Sequence, residues 1–469
     1  MRSIKTSGKK EKYAIAVIGG GPAGIMAAIS AAMIFKGGLK DKHGFKNHKV
    51  ILIEKNESLG KKMLLTGGGR CNITNDSDLK LFLQAFGKKS SFLKPSFYNF
   101  DNKDTLKFFN KKGLEFKVEN SGKVYPNDDK AISVLNVLED YLREFEIQVV
   151  TGTSVKDIKE NNGYFDISLN KNGIKNKSNH SKQISSQKIV LATGGVSYPF
   201  TGSTGEGLII AEKLNHHITS LRPGLVPLKI DEQWLKDLSG LKIEDVVISF
   251  RGQSKKRVSY QGTILFTHFG VSGPVVLDLS HEIALNFNFE GENHNRNDKE
   301  SRKLILKELF LDIVPEKSAD EIRDKFNIEF QNMGKTMIKN YFKTILPKNM
   351  IVPFLINSDV NPDALLNQIS RKEKNRIINN LKDLKIHLND LMPLKDAMVT
   401  CGGVSHKDIH SKTMESKILP GIYFAGEILE FCGLSGGYNL QMAFSTGNLA
   451  GKSAADKLMV NKVKSLKIF

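Results

Sequence analysis

Gly19, Gly21 and Gly24 fall in the run Val17-Ile18-Gly19-Gly20-Gly21-Pro22-Ala23-Gly24, close to the start of a 469-residue chain. G-x-G-x-x-G between an apolar strand and a helix is a seat for the diphosphate of a dinucleotide. The first glycine allows the tight turn, the second lets the backbone approach the phosphates, and the third lets helix and strand pack closely. Pro22 and Ala23 open the helix, whose free N–H groups and partial positive charge attract the anion. The plain alternative is a glycine-rich turn that binds nothing. Against it stand the apolar run Ala14 to Ile18 and the alanine-rich stretch that follows the motif, the context this chemistry requires.

Such a site needs an acid at the end of the second strand, to accept hydrogen bonds from the adenosine ribose. Val50-Ile51-Leu52-Ile53-Glu54 supplies it, with Lys55 beside it. Glu54 lies further from the glycines than the usual spacing of about 20 residues, because the polar stretch Lys36 to Lys49 lengthens the connection. An acid at this point favours an unphosphorylated ribose, as in FAD or NAD, over NADP.

Further segments carry compatible chemistry. Thr66-Gly67-Gly68-Gly69-Arg70-Cys71-Asn72 offers a loop rich in N–H groups with one cation, suited to a phosphate or the edge of a flavin ring; a surface loop without a ligand is the alternative. Ala192-Thr193-Gly194 ends an apolar strand beginning at Lys188, and α/β sheets bind ligands at that edge. Near the other end, Gly421 to Phe424 reads as a strand that finishes in Gly426-Glu427, a carboxylate placed to hold ribityl hydroxyls or to cap a helix. Gly437-Tyr438-Asn439-Leu440 then leads into a helix over Met442 to Leu458, its N–H groups aimed at a pyrophosphate or at flavin N1 and O2.

The elements that must position these residues are those of an α/β protein. Leu79 to Lys112 and Ala131 to Phe145 have helical spacing, Phe116 to Tyr125 reads as a hairpin turning at Ser121-Gly122, and short strands follow to Leu169. Lys171 to Gln187 reads as an exposed polar tip. From Ile218 the texture changes to short alternating segments, Val246 to Phe250, Arg257 to Tyr260, Thr263 to Thr267, Val275 to Leu279 and Ile283 to Phe289, which suggest an antiparallel barrel. Asn293 to about Ile386 reads as helical. The expected organisation is a discontinuous Rossmann-like FAD-binding domain over residues 1–217 and 396–469, with an inserted barrel over 218–290 and a helical subdomain over 291–395.

Composition bounds the remaining possibilities. Residues Ala14 to Phe35 carry no charge and could be mistaken for a membrane span, but Gly19 to Pro22 would break its hydrogen bonds in mid-bilayer, so no membrane insertion is expected. The formal charge of +19 comes from lysines scattered over the whole chain, which reads as compositional bias more than as a nucleic-acid patch. Cys71, Cys401 and Cys432 show no C-x-x-C and no paired framework, so a reducing cytoplasmic setting without structural disulfides is expected. Cys71 with Cys432 is the pair considered for thiol redox chemistry, and no metal-ligand spacing appears.

These segments together resemble the two-dinucleotide-binding-domain flavoproteins. The nearer resemblance is to bacterial FAD-dependent oxidoreductases of the YhiN or aminoacetone oxidase-like type. It rests on Gly19 to Gly24, Thr66 to Asn75, Ala192 to Gly195, Thr267-His268-Phe269-Gly270-Val271-Ser272-Gly273-Pro274, Thr400 to Val404, and Gly426 through Gln441. It implies noncovalent FAD, hydride transfer between flavin N5 and a small organic substrate, and NAD(P)H as a transient donor, since no second fingerprint follows a strand. The resemblance also brings His268 near the flavin as a proton donor, with Tyr438 as a second candidate. Phe431-Cys432-Gly433 departs from the family pattern, in which an aspartate tends to precede that glycine. A flavoprotein acting on RNA and a flavin-binding sensor without turnover are the competing readings.

Overall fold

The computed structural model describes residues 10–37, 48–171, 182–251, 257–286 and 308–466. Most of the polar stretch Lys36 to Lys49 and residues 172–181 lie outside them, while the end of the expected exposed tip, Lys182 to Gln187, is instead strand with Ile184, Ser185 and Ser186 buried. By packing, the chain divides into two units, Met1–Arg222 with Met398–Phe469, and Pro223–Ala397.

The first unit is built on a seven-stranded sheet. Its order is Gln148–Val150, Val50–Ile53, Glu11–Ile18, Lys182–Leu191, Tyr164–Lys171 and Thr153–Asn161, with Ile422–Phe424 also paired to Lys182–Leu191. Lys182–Leu191 is long enough to serve two neighbours along one side: residues 182–186 pair antiparallel with Tyr164–Lys171, and residues 189–191 pair parallel with Ile422–Phe424. Both halves of the discontinuous unit therefore meet on one strand. Ile18 lies opposite Ile53 and Leu191, and Leu191 lies opposite Phe424, all in parallel register. Four strands thus end at the same edge and deliver Gly19, Glu54, Ala192 and Glu427 there. Residues Ala14 to Ile18 and Val50 to Ile53 are buried on both faces, which is why they read as unbroken apolar runs.

The helix Pro22–Gly37 follows the glycines and packs along Tyr438–Leu466. The alanines and glycines are explained by that contact. A Cβ added at Gly447 would sit 2.3 Å from the Ala23 carbonyl oxygen, and one at Gly451 would sit 2.0 Å from that of Ala27. Glycines four residues apart thus face alanines four residues apart, and the two backbones touch. The uncharged run Ala14 to Phe35 is this buried strand and helix, and among the described residues no helix is long and apolar enough to cross a membrane.

The second unit contains a closed antiparallel barrel in the order Leu228–Ile230, Gly270–Ser272, Arg257–Thr267, Lys242–Arg251, Glu308–Asp312 and Leu384–Leu391, the last returning to the first. Two expectations are corrected. Val275 to Leu279 and the described part of Ile283 to Phe289 are not strands; they lie in one helix, Pro274–Asn286. Val275, Val276, Leu279 and Ile283 are all buried, a helical face that brief alternation had disguised, and Pro274 opens the first turn. The stretch expected to be wholly helical supplies two barrel strands, Glu308–Asp312 and Leu384–Leu391. In the latter, Leu384, Ile386 and Leu388 are buried while Lys385 and His387 are exposed, a period of two that a lysine-rich helix signal overran. The helices Ala319–Asn332, Lys348–Asn357 and Arg371–Asp383 lie between those two strands in sequence.

The cysteine expectation is also corrected. Cys401 and Cys432 are joined by a disulfide, with Cα atoms 5.1 Å apart, while Cys71 is free and fully buried. The partners are brought together because the chain after strand Val399–Cys401 runs beside the 428–432 loop: Val404 N donates to Ile428 O, and Glu430 N to Val404 O.

Candidate functional site

The shared strand edge opens into a cleft of about 1290 Å³, lined entirely from the first unit. Its floor is the glycine turn. Gly19 has φ +108°, and a Cβ there would lie 2.3 Å from the Ala192 carbonyl oxygen; a Cβ at Gly24 would lie 1.9 Å from that of Gly19. Both glycines are required by the protein's own backbone. Gly21 is different, since a Cβ there would meet nothing within 4 Å. Protein packing does not require a glycine at that position, whereas a ligand lying against the backbone does.

Glu54 is 8% exposed. Its carboxylate accepts hydrogen bonds from Gly20 N at 2.6 Å, Asn56 N at 2.8 Å and Asn56 Nδ2 at 2.7 Å, which fixes it at the end of its strand. Lys55 Nζ donates to Thr204 Oγ1 at 2.6 Å and pairs with Glu206 at 3.3 Å. Ala192, Thr193 and Gly194 line the opposite wall. The Thr193 hydroxyl is buried against Gly207, where an added Cβ would lie 1.9 Å from its oxygen, and it has no hydrogen-bond partner among the described residues.

Glu427 sits in the turn Gly426–Ile428, directly after strand Ile422–Phe424. Oε1 accepts from Ser197 Oγ, Thr400 N and Lys62 Nζ, each at 2.8 Å, and Oε2 accepts from Lys62 Nζ at 2.6 Å. Lys62 Nζ also donates to Ser197 Oγ at 2.7 Å. Asn439 and Leu440 line the cleft at the start of the long C-terminal helix, with Asn439 Oδ1 accepting from Gly433 N at 2.7 Å.

Other expected residues lie elsewhere. Gly69, Arg70, Cys71 and Asn72 are not in the cleft wall. The Arg70 guanidinium is committed to Glu119 at 2.7 Å and Asp129 at 2.8 Å, and it stacks 3.9 Å over Tyr125. Lys117 and Arg70 together hold the Asp129 carboxyl below the usual carboxylate range. Burial pushes the Cys71 thiol up to about 12, so it is protonated at neutral pH and unsuited to redox exchange. Asn72 accepts from Val124 N at 3.2 Å. Gly437, φ +98°, packs where a Cβ would strike the Thr74 carbonyl, and the Tyr438 hydroxyl lies 3.2 Å from Ser77 Oγ with its ring against Phe82. Gly24 and Gly426 are not in the cleft wall; a Cβ at Gly426 would lie 2.6 Å from the Ala23 Cβ. His268 belongs to the barrel unit, in the turn between Arg257–Thr267 and Gly270–Ser272, its ring edge-on to Phe269.

Lys62, Ser197 and Thr400 escaped the sequence reading of the site. The lysine stands in the pair Lys61-Lys62, and nothing about its neighbours marks it until the fold brings it to Glu427, 365 positions away. Taken together, the open space at Gly21 and the buried Glu54 fit an ADP-linked dinucleotide.

A family model and curated relatives match most of the chain. The family model described as "HI0933-like protein Rossmann domain" matches residues 13–453. The 3-dehydro-bile acid delta(4,6)-reductase of Clostridium scindens is 30% identical over 444 residues, covering 94% of this chain and 99% of that protein. The ribosomal RNA dihydrouridine synthase of Escherichia coli is 26% identical over 442 residues, covering 93% and 96%. Among solved structures, the 3-ketosteroid-delta4-(5alpha)-dehydrogenase from Rhodococcus jostii RHA1 aligns with a TM-score of 0.48 and 13% identity, covering 97% of this chain and 99% of that one. A family model spanning almost the whole sequence, with a reductase relative matched along nearly its full length, makes this chain a member of the HI0933-like Rossmann-domain family and an oxidoreductase.

Proposed function

We propose that the chain is an FAD-dependent reductase that saturates a carbon–carbon double bond conjugated to a carbonyl in a small organic substrate. The observation that carries this reading is the single cleft into which parallel strands deliver the N-terminal glycines, Glu54 and Glu427. In that arrangement Glu54 would hold the adenosine ribose, the helix start at Gly21 to Ala23 the diphosphate, and Glu427 the ribityl hydroxyls. When bound, noncovalent FAD supplies hydride chemistry at N5, which the protein orients and tunes.

The reaction class draws on the relatives' names, which both denote saturation of a double bond, in a bile acid and in uridine. Hydride attack on such a bond needs a neighbouring group to hold the charge that develops, hence the conjugated carbonyl. The other carbon needs a proton, and His268 and Tyr438 are the proposed donors, tested by turnover of His268→Gln and Tyr438→Phe. No second glycine fingerprint follows a strand, so NAD(P)H would visit as donor without a domain of its own.

The recombinant protein is expected to be yellow, to release FAD on heat denaturation, to bleach anaerobically with NADH or NADPH, and to regain colour with an α,β-unsaturated ketone. Colourless protein that takes up no FAD in a titration overturns the cofactor, and failure of every enone to reoxidise it overturns the reaction. A second reading, RNA as substrate, is favoured by the +19 charge and by the dihydrouridine synthase relative. It requires RNA retention that survives physiological salt, whereas nonspecific binding would disappear with modest salt.

A further inference from the structure

Glu427 brings a negative charge to a place that the sequence motif already reserves for one. The preceding residue, Gly426, abuts the fingerprint helix so closely that a Cβ there would lie 2.6 Å from the Ala23 Cβ. Glu427 therefore stands next to the helix start that the motif reserves for a diphosphate, which itself carries about two negative charges at neutral pH. An ionised acid used to hold ribityl hydroxyls would repel that group, and the cleft is partly shielded from water, so the repulsion is poorly screened.

We infer that Lys62 is the charge-compensating and positioning residue that lets Glu427 bind cofactor hydroxyls as an anion beside a diphosphate. The inference rests on the FAD reading above. All three N–H bonds of Lys62 have an acceptor on this site: Glu427 Oε1, Glu427 Oε2 and Ser197 Oγ. The pair is half-sheltered, with side-chain exposures of 21% and 19%. Among the described residues Oε2 receives only the lysine, which leaves it a lone pair for a ligand hydroxyl, while Oε1 is occupied by Ser197, Thr400 N and Lys62. Lys62 thus cancels the charge and also aims the free oxygen.

The charged groups around Glu427 are accounted for. Lys55 is paired to Glu206, Lys61 reaches Asn56 at 3.4 Å, and Glu54 is bonded to Gly20 and Asn56 at the far end of the cleft. Three residues along the chain, Glu430 is held by Lys89 at 3.0 Å and by His406. The C-terminal helix packed on the turn presents the Thr446 hydroxyl, which accepts from Gly426 N at 2.9 Å. Strand Val399–Cys401 presents the Thr400 N–H to Glu427.

The test is FAD affinity against pH, from 5.5 to 8.5, by fluorescence titration of apoprotein prepared from the wild type, Lys62→Met, Lys62→Arg, Glu427→Gln and the double variant Lys62→Met/Glu427→Gln. Wild type and Lys62→Arg are expected to bind with little pH dependence. Lys62→Met should bind about tenfold or more weakly across this range, because the uncompensated carboxylate of Glu427 repels the diphosphate. In the double variant, removing the carboxylate should restore affinity to about the level of Glu427→Gln alone, a rescue that a merely structural lysine would not give. Thermal melts confirm that each variant is folded, and Lys62→Arg keeps the test informative should Lys62→Met fail to fold. Lys62→Met binding FAD with wild-type affinity at every pH, or weakened without rescue in the double variant, overturns the inference while leaving the FAD reading intact. Wild-type protein that takes up no FAD overturns both.

Discussion

Two glycines three residues apart in one motif do different work. Gly24 is demanded by the protein, since a Cβ there would lie 1.9 Å from the Gly19 carbonyl oxygen, whereas Gly21 faces open space. Gly24→Ala should therefore destabilise the fold by about 2 kcal/mol or more through backbone displacement. Compared as apoproteins, Gly21→Ala should melt within about 1 °C of wild type, because an Ala in a compatible helix start costs almost nothing, yet it should fail to retain added FAD. Thermal melts paired with the flavin-to-protein absorbance ratio check both, and equal losses of stability would show that the motif is a packing feature. This distinction was legible in the sequence because each glycine's task follows from its place between strand and helix. The same holds for Glu54 and Glu427, acids that end apolar strands. Lys62 was not legible, for a lysine's partner depends on contacts formed across 365 residues. Arg70 was misread for a related reason: its neighbours in the loop suggested an anion, while the hairpin and helix beyond supply Glu119 and Asp129.

At the scale of elements, the strand Val399–Cys401 and the loop carrying Glu427 are tied together by the Cys401–Cys432 bond. Thiol titration in denaturant should find one reactive thiol per chain without reductant, Cys71, and three after reduction. Three in both cases would show that the bond does not form in the protein as isolated. By closing a loop of 31 residues the disulfide is expected to restrict the unfolded chain, and Cys432→Ser should cost about 3 kcal/mol, measured by denaturant unfolding. Spacing alone could not reveal this pair, because a disulfide depends on which strands lie side by side. The barrel carried a similar blind spot. Helix Pro274–Asn286 was hidden by a few alternating residues, and strand Leu384–Leu391 by the lysine-rich helix before it, whereas the parallel strands, buried on both faces, were plain.

Among the described residues there are two hydrophobic cores, one in each unit, and they should answer to different agents. FAD binds residues of the first unit alone in the reading above, so saturating FAD at about 100 times its dissociation constant should raise that unit's stability by about 3 kcal/mol. The second unit holds His281, 1% exposed on helix Pro274–Asn286. Burial pushes this imidazole down from 6.5 to about 4. A histidine whose folded pKa lies below its unfolded value favours folding fully when neutral. As pH falls through the unfolded value toward 4, the unfolded chain takes up a proton that the folded barrel refuses, and stability declines. Between pH 7 and 5 the expected loss is on the order of 2 kcal/mol. Calorimetric scans with and without FAD at both pH values, on wild type and His281→Gln, check this. The variant should lose much less stability than wild type over that interval, whereas an identical acid response in the two would show that His281 is not the titrating group.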